Sequence, residues 1–209
     1  MPNEEMYFPA LVKPKHYERL GYDGKVIEGM EILISGNEYL RCCDAEGSMW
    51  GNGKAGRYGS GLIKHPFLFG LLGEMAFGKA FGFPVNLARK EYGEASDFNL
   101  STKKTIDVKT NSRLYPSNPM MYIMATNDNG ASVPLKSNAY VAGFVDNNDQ
   151  ESGVASVVLI GYCLQNDVPR ETHLGVAAGS RHYNYEIPYG ALKPLWDKDE
   201  LIYLEKVIL

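Results

Sequence analysis

The chain has 209 residues, of which 25 are acidic and 21 are basic, and its formal net charge is −4. This charge argues against a polycation that binds nucleic acid nonspecifically, although a local basic groove is compatible with it. A hydrophobic content of 44% is ordinary for one globular domain with a sizeable core. The sequence has no run of about 20 apolar residues that would predict a membrane span, and its N-terminal residues lack the apolar region of a secretory signal. We therefore expect an intracellular, cytoplasmic protein.

The first third of the chain is predicted to contain a β-hairpin and then a glycine-rich loop. Met30–Ser35 and Glu38–Cys43 have the composition of two strands, and Gly36 and Asn37 between them form a typical hairpin turn pair. Residues 46–61 include six glycines and predict a flexible connection. Because glycine lets the backbone approach a polyanion closely, a flap that contacts phosphate groups is the alternative for this loop.

The clearest predicted helix covers His65–Gly82, because Pro66 suits a first helical turn and Gly82 suits the exit. Glu74 falls within an apolar stripe of this helix, where a carboxylate is unfavourable unless another group pairs with it. The stripe is formed by Phe67, Leu71, Phe77 and Phe81. Glu74 is therefore either a structural residue, in a buried ion pair or at the edge of the stripe, or a third acid directed at a metal site.

The second half of the chain is predicted to be mostly strands. Apolar, β-branched and aromatic residues predict strands over Pro84–Arg89, Ala95–Leu100, Thr105–Thr110, Asn138–Asp146, Gly153–Cys163 and Tyr183–Pro188. Met121–Thr126 fits a short strand or a short helix, and a short helix is expected within Val168–Ser180. The near-continuous apolar runs of the two long strands are typical of the centre of a sheet.

Two of these strands carry a candidate catalytic site. Side chains alternate between the two faces of a strand, so Asp107 and Lys109 are expected on one face, with Ile106 and Val108 on the other. Asp97 precedes Asp107 by ten residues, a spacing that a tight hairpin brings side by side. Two carboxylates bind a hard divalent cation through oxygen, and a nearby lysine can orient water or stabilise charge on a phosphorane. The pattern therefore predicts a metal-dependent phosphodiesterase, against the alternatives of a surface Asp-Lys pair and a turn-capping aspartate.

The order of these motifs resembles the PD-(D/E)XK nuclease superfamily, also described as restriction-endonuclease-like, and particularly its small phage-associated and bacterial members. The resemblance covers roughly residues 61–195 and leaves residues 1–60 unplaced, so we interpret those as an N-terminal extension of a single nuclease-like domain. The matching motifs are Gly73-Glu74, Ser96-Asp97-Phe98, Ile106-Asp107-Val108-Lys109, the apolar strand pair within Tyr140–Cys163, and Tyr185-Glu186-Ile187-Pro188. The chain departs from the superfamily at Ser96, where the motif has proline.

The resemblance implies an α/β fold of the α+β type, with a mixed central sheet that is flanked by helices, here extended by an N-terminal β-hairpin. It also implies a nuclease that hydrolyses phosphodiester bonds with Mg²⁺, for which Mn²⁺ substitutes, and double-stranded DNA is the expected substrate. Asp97 and Asp107 take the two acidic positions, Lys109 the lysine position, and Glu74 the acid of the preceding helix. These acids, together with the carbonyl of Val108, are the expected metal ligands.

Six basic residues near the predicted site are candidates for contacts with nucleic acid. They are Lys54, Arg57, Lys64, Lys103, Lys104 and Arg113. The sequence leaves open endonuclease or exonuclease action, DNA or RNA, and a monomer or a homo-oligomer. The alternative function is a catalytically inactive module that binds nucleic acid or assembles with the same fold. A third interpretation is an unrelated protein in which the acids are ordinary surface residues.

Overall fold

The structure is a computed structural model. It describes residues 7, 9–10, 14–20, 24, 26–50, 66–87, 96–100, 104–112, 120–127, 129–174 and 183–195. The two helices are α1 (Asn37–Trp50) and α2 (Pro66–Phe81). The strands are β1 (Lys15–Leu20), β2 (Val26–Ser35), β3 (Phe98–Asn99), β4 (Thr105–Asn111), β5 (Met120–Met124), β6 (Ala139–Asp149), β7 (Val154–Leu164), β8 (His173–Leu174), β9 (Tyr183–Pro188) and β10 (Lys193–Pro194).

A seven-stranded sheet forms the centre of the described structure. Its strand order is β1-β2-β7-β6-β4-β3, and β10 pairs with β7 beside it. Strands β4 and β6 are parallel, whereas the other pairs are antiparallel, so the sheet is mixed. The predicted α/β class with a mixed central sheet is thus confirmed. Strand β2 is a neighbour of β7, so part of the stretch that we interpreted as an extension contributes directly to this sheet.

The two faces of the sheet are covered by different layers. On one face, α1 and α2 pack over alternate residues of the strands, including Ile32, Val108 and Val141. On the other face, the three-stranded sheet β5-β9-β8 contributes Met121 and Ile187 to a second apolar cluster. The expectation of helices that flank the sheet therefore holds for one face of the described structure, because a small sheet occupies the other.

The predicted hairpin of Met30–Ser35 and Glu38–Cys43 is wrong. Gly36, with φ of +58°, ends β2, and the chain enters helix α1 at Asn37. The buried side chains after this point have helical spacing, whereas Leu40 between them is exposed by 59%. These buried residues are Glu38, Tyr39, Cys42 and Glu46. The N-terminal hairpin that does form joins β1 to β2.

Burying Glu38 and Glu46 is possible because each has a partner on α2. Glu38 forms an ion pair with Lys79, and a carboxylate oxygen of Glu46 accepts a hydrogen bond from the backbone N–H of Leu68 at 3.1 Å. Buried carboxylates are tolerated when they are paired in this way. Both acids therefore connect α1 to α2. Residues 46–50 of the predicted glycine-rich loop belong to α1, so the loop prediction is wrong for them. Residues 51–61 of the predicted loop lie outside the described residues.

Two shorter predictions also need correction. Within Pro84–Arg89, the described part forms a single bridge between Val85 and Tyr7, because the bonds Tyr7 N–H to Val85 O and Val85 N–H to Tyr7 O are not continued. Within Val168–Ser180, the described residues contain strand β8 and no helix, and residues 175–180 lie outside the described part. Pro169 at the start of that stretch lacks the N–H that a helix interior needs.

The predicted strand Ala95–Leu100 is reduced to β3, Phe98–Asn99, and Asp97 lies in a bend before it. The longer predicted elements are confirmed. Helix α2 occupies nearly the whole predicted span, and β4, β6, β7 and β9 appear at their predicted positions. The segment with two open interpretations, Met121–Thr126, contains strand β5 and then an isolated bridge at Thr126. In the part of the chain that the structure describes, neither helix is long and apolar enough to cross a membrane.

Candidate functional site: a carboxylate pair and a lysine at the edge of strand β4

Strand β4 has two chemically different faces, as its sequence predicts. Ile106 and Val108 belong to the apolar cluster beneath the helices. Asp107 and Lys109 point to the opposite face, where their register partners on β6 are Tyr140 and Ala142, two members of the second cluster. Alternation along one strand therefore places a carboxylate and an ammonium group next to each other, on the face away from the helices.

Asp97 lies beside Asp107, one residue before β3 begins. The pairs of β3 with β4 include Phe98 opposite Ile106, so continuing this register by one residue places Asp97 opposite Asp107. A carboxylate oxygen of Asp97 accepts a hydrogen bond from the backbone N–H of Val108 at 2.6 Å. Because β3 is only two residues long, this side chain takes the place of a strand partner on the edge of β4.

Asp107 and Lys109 form an ion pair, with 2.7 Å between a carboxylate oxygen and the ammonium nitrogen. Their side chains are exposed by 20% and 34%, so a ligand can reach both from solvent. Burial raises the pKa of the Asp107 carboxyl, the Lys109 ammonium opposes this effect, and the Asp97 carboxylate adds to it. The outcome is a rise in the pKa of Asp107 from 3.8 to about 6.

Lys109 carries a positive charge at neutral pH. Burial by itself would lower the pKa of its ammonium group, but the negative charges of Asp107 and Asp97 outweigh burial and raise this pKa above 10.5. Lys109 therefore acts here as a cation and a hydrogen-bond donor. A free amine that accepts a proton from water would need a lowered pKa instead.

Three residues that the sequence did not mark as site residues are linked to the carboxylate pair, Ser96 as the residue before Asp97, Tyr140 as the register partner of Asp107, and Ser137 through hydrogen bonds to Ser96 and Tyr140. Ser96 and Ser137 share a hydrogen bond of 2.7 Å between their hydroxyl oxygens. The hydroxyl oxygen of Tyr140 accepts hydrogen bonds from the backbone N–H groups of Lys136 and Ser137, at 3.0 and 3.2 Å. Ser137 and Tyr140 reach the site through the parallel pairing of β6 with β4, across about 30 residues of chain, and no local sequence signal predicts that pairing.

Asn111, two residues after Lys109, connects the same face of β4 to the small sheet. Its side-chain amide donates hydrogen bonds of 2.9 Å to the carbonyl of Met120 and to the hydroxyl of Tyr189. The Tyr189 hydroxyl in turn donates to the carbonyl of Gly143 on β6. This network holds the end of β4 against β5 and β6, next to the ion pair.

Glu74 does not complete a compact cluster of three acids. It lies on α2, which packs against the Val108 face of β4 and not against the Asp107 face. Glu74, Asp97 and Asp107 are all described, and their carboxylate oxygens do not all lie within 4.8 Å of one another. Burial chiefly raises the pKa of the Cys42 thiol on α1, and the negative charges of Cys43 and Glu74 add to that rise.

The predicted nucleic-acid contacts can be located only in part. Lys104 is half-buried and directly precedes β4. Lys54, Arg57, Lys64, Lys103 and Arg113 lie outside the described residues. Among the described residues, one group of three side chains brings its candidate ligand atoms within 4.8 Å of one another. It consists of the exposed His16, Glu18 and Glu28 on the β1-β2 hairpin.

Comparisons of this chain with protein-family models, with curated protein sequences and with solved structures give no match.

Proposed function

We propose that this protein is a metal-dependent nuclease that hydrolyses phosphodiester bonds of nucleic acid, with DNA as the expected substrate. One observation carries the proposal. The carboxylates of Asp97 and Asp107 meet at the edge of β4, and the ammonium group of Lys109 lies 2.7 Å from Asp107. Two adjacent carboxylates and a lysine on an accessible strand form a donor set suited to a hard cation and to a phosphate group.

The donor set fits Mg²⁺ or Mn²⁺. Burial raises the pKa of Asp107, and repulsion from the carboxylate of Asp97 adds to the rise. A divalent cation that binds both carboxylates turns this repulsion into attraction, and oxygen donors are those that Mg²⁺ prefers. Asp97 and Asp107 would hold the ion, together with the carbonyl of Val108. Glu74 would contribute through a bridging water, because the three carboxylates do not converge.

The chain's own groups have separable roles in this proposal. The chemistry that the bound cation supplies is a lowered pKa of coordinated water and neutralisation of charge on the scissile phosphate. Lys109, held by Asp107 and positively charged, donates hydrogen bonds that position the attacking water or stabilise charge on the phosphorane. Asp97 is aligned for metal binding by the N–H of Val108, which fixes one of its two carboxylate oxygens.

The decisive experiment compares wild type with Asp107→Ala and Lys109→Ala on a supercoiled plasmid and on a linear duplex, in Mg²⁺ or Mn²⁺. Both variants should lose cleavage by roughly 10³-fold or more, because several kcal/mol of transition-state stabilisation disappear with the metal ligand or the cation. DNA affinity of Asp107→Ala should stay similar or rise, because a charge that repels phosphate is removed. The plasmid also separates endonuclease from exonuclease action.

A matched control is Asp146→Ala. Asp146 lies on the same sheet, near the far end of β6, and pairs with Arg19 at 3.7 Å. Losing this exposed carboxylate should leave cleavage unchanged. Cleavage at the wild-type rate by Asp107→Ala or Lys109→Ala would discard the assignment. Binding of DNA by the wild type without turnover in any metal would favour the inactive binding module.

A further inference from the structure

The position of Asp97 depends on contacts outside its own strand. Asp97 lies in a bend one residue before β3, and β3 has only two residues. Because β3 has only two residues, few hydrogen bonds to β4 fix the backbone next to Asp97. A carboxylate that must bind a metal in a defined geometry needs further restraint.

One restraint lies on the C-terminal side of Asp97. Phe98 is buried, and its ring centroid lies 4.8 Å from that of Phe77 on α2. This contact fastens the chain to the helix layer. It does not fix the N-terminal side of the bend, where Ser96 is the preceding residue.

Ser96 supplies the restraint on that other side. Its hydroxyl oxygen lies 2.7 Å from the hydroxyl oxygen of Ser137, which has no solvent exposure. Ser137 is itself fixed, because its backbone N–H donates to the hydroxyl of the buried Tyr140. The adjacent Asn138 reinforces this through a hydrogen bond from its backbone N–H to the carbonyl of Thr105 at the start of β4.

These contacts form a closed series that includes Asp97 and Asp107. Tyr140 is the register partner of Asp107 on β6, and Asp107 lies opposite Asp97. Asp97 follows Ser96, which bonds to Ser137, and Ser137 bonds back to Tyr140. A shift of the Asp97 backbone would therefore break the hydroxyl pair as well as the hydrogen bond to Val108.

We propose that Ser96 and Ser137 are positioning residues that hold the Asp97 carboxylate beside Asp107, in the geometry that binds the metal. This inference rests on the proposed function. The serine at position 96, where the resembling superfamily has proline, uses a hydrogen bond to Ser137 to restrain the bend. The pair is therefore part of the site, although neither hydroxyl touches substrate.

The test uses the full chain with Ser96→Ala, Ser137→Ala and the double variant. Ser96→Ala leaves a fully buried hydroxyl without its partner, which lowers stability on its own. The double variant removes both hydroxyls, so no buried hydroxyl is orphaned and stability should recover relative to Ser96→Ala. Positioning, in contrast, is lost in both. The double variant thus separates a structural role from a positioning role.

The first measurement is amide hydrogen exchange of Val108 in metal-free protein, relative to amides in the centres of β6 and β7 that report global unfolding. Exchange at Val108 should speed up by at least about tenfold in Ser96→Ala and in the double variant, as expected when a hydrogen bond to a charged group is lost. The second is Mn²⁺ affinity by calorimetry, which should fall by about 10- to 100-fold in both variants.

Ser156→Ala is the matched control, because the Ser156 hydroxyl bonds to Glu31 at 2.7 Å elsewhere in the same sheet. It should change neither measurement. Wild-type exchange at Val108 and wild-type Mn²⁺ affinity in the double variant would overturn the positioning role. If the wild type itself bound no Mn²⁺ and cut no DNA, the proposed function would fail, while exchange at Val108 would still decide whether the serines position Asp97.

Discussion

The protonation of Asp107 depends on burial and on both charged neighbours in the site. Its neighbour Lys109 favours the carboxylate, whereas burial and the charge of Asp97 favour the neutral acid. Burial and the charge of Asp97 together outweigh Lys109, since the pKa of Asp107 is raised to about 6 although its carboxylate oxygen lies 2.7 Å from the Lys109 ammonium nitrogen. In an ion pair that only stabilises the fold, the cation would outweigh burial and hold the pKa of the carboxyl group below its ordinary value.

This balance predicts how stability depends on pH. Because the folded pKa of Asp107 is about 6 and its ordinary value is 3.8, the folded state binds more protons between those values. The stabilising contribution is complete below 3.8 and is lost as pH rises through about 6. In urea denaturation without metal, the free energy of unfolding of wild type relative to Asp107→Asn should rise by roughly 1–3 kcal/mol as pH falls from about 8 to about 4.

The opposite trend would contradict this account. A wild type that loses stability relative to Asp107→Asn as pH falls would show that Lys109 dominates the environment of Asp107. Asp146→Asn provides the comparison, because its partner Arg19 is exposed and Asp146 lies away from the carboxylate pair.

Glu74 is predicted to matter less than the two strand acids. The carboxylate oxygens of Glu74, Asp97 and Asp107 do not all lie within 4.8 Å of one another, so we expect Glu74 to act on a bound metal indirectly. Glu74→Gln should reduce kcat/KM by no more than about 10- to 100-fold, as is typical of residues one shell away from a metal. Asp97→Asn should reduce it by roughly 10³-fold or more. Equal losses in the two variants would mean that Glu74 binds the metal directly.

At the scale of elements, the approach of α2 to β4 depends on one glycine. A Cβ atom added at Gly73 would overlap the Thr110 hydroxyl and lie 2.8 Å from the Thr110 Cβ. The backbone of the helix at Gly73 therefore packs directly against the Thr110 side chain of β4. This contact lies directly before Glu74, on the face of β4 opposite to Asp107. Gly70, one turn earlier on the same helix, has no atom within 4 Å of such a Cβ.

These two glycines make a matched pair of substitutions. Gly73→Ala should lower the free energy of unfolding by about 1–3 kcal/mol, because the added methyl group forces α2 away from β4. Gly70→Ala should raise it by up to about 1 kcal/mol, because alanine is the better helix former and space is available. Urea denaturation of both variants measures the difference. A stable Gly73→Ala protein would show that α2 and β4 do not pack so closely.

The sequence predicts an element well where the spacing of its apolar residues specifies a helix or a strand, and poorly where its secondary structure depends on contacts with distant segments. Helix α2 shows its apolar stripe with Pro66 near its start and Gly82 at its exit, and β4 shows strict alternation. The segment Glu38–Cys43, predicted as a strand and found in helix α1, has only six residues, and its apolar and charged positions fit the period of a strand as well as that of a helix. Its helical state is supported by burial of Glu38 against Lys79, a residue 41 positions away, and no local rule predicts that contact.

At the scale of the whole molecule, one mixed sheet separates two apolar clusters, and the candidate site lies on the face away from the helices. The sequence does not predict the small sheet β5-β9-β8 that shares this face. It predicts β9 as a strand, leaves β5 open between a strand and a helix, and predicts a short helix where β8 forms. Pairing between β5 and β9 joins residues that are at least 60 positions apart, for example Ile123 with Tyr185. Such pairing depends on the match between the surfaces of two strands and on the entropy cost of closing the loop between them, and the residue pattern of one strand specifies neither.

The sequence by itself determined that Asp107 and Lys109 share a face of a strand and that Asp97 could reach them, because the period of two and the length of a hairpin follow from covalent geometry. Only the tertiary structure decided that Ser137 and Tyr140 complete the surroundings of the carboxylate pair and that Glu74 stands apart from it. Those relations depend on which strands become neighbours and which face each layer covers. The strand order and the packing of the layers are those that bury the apolar side chains of all elements together, and the sequence of a single segment does not specify that arrangement.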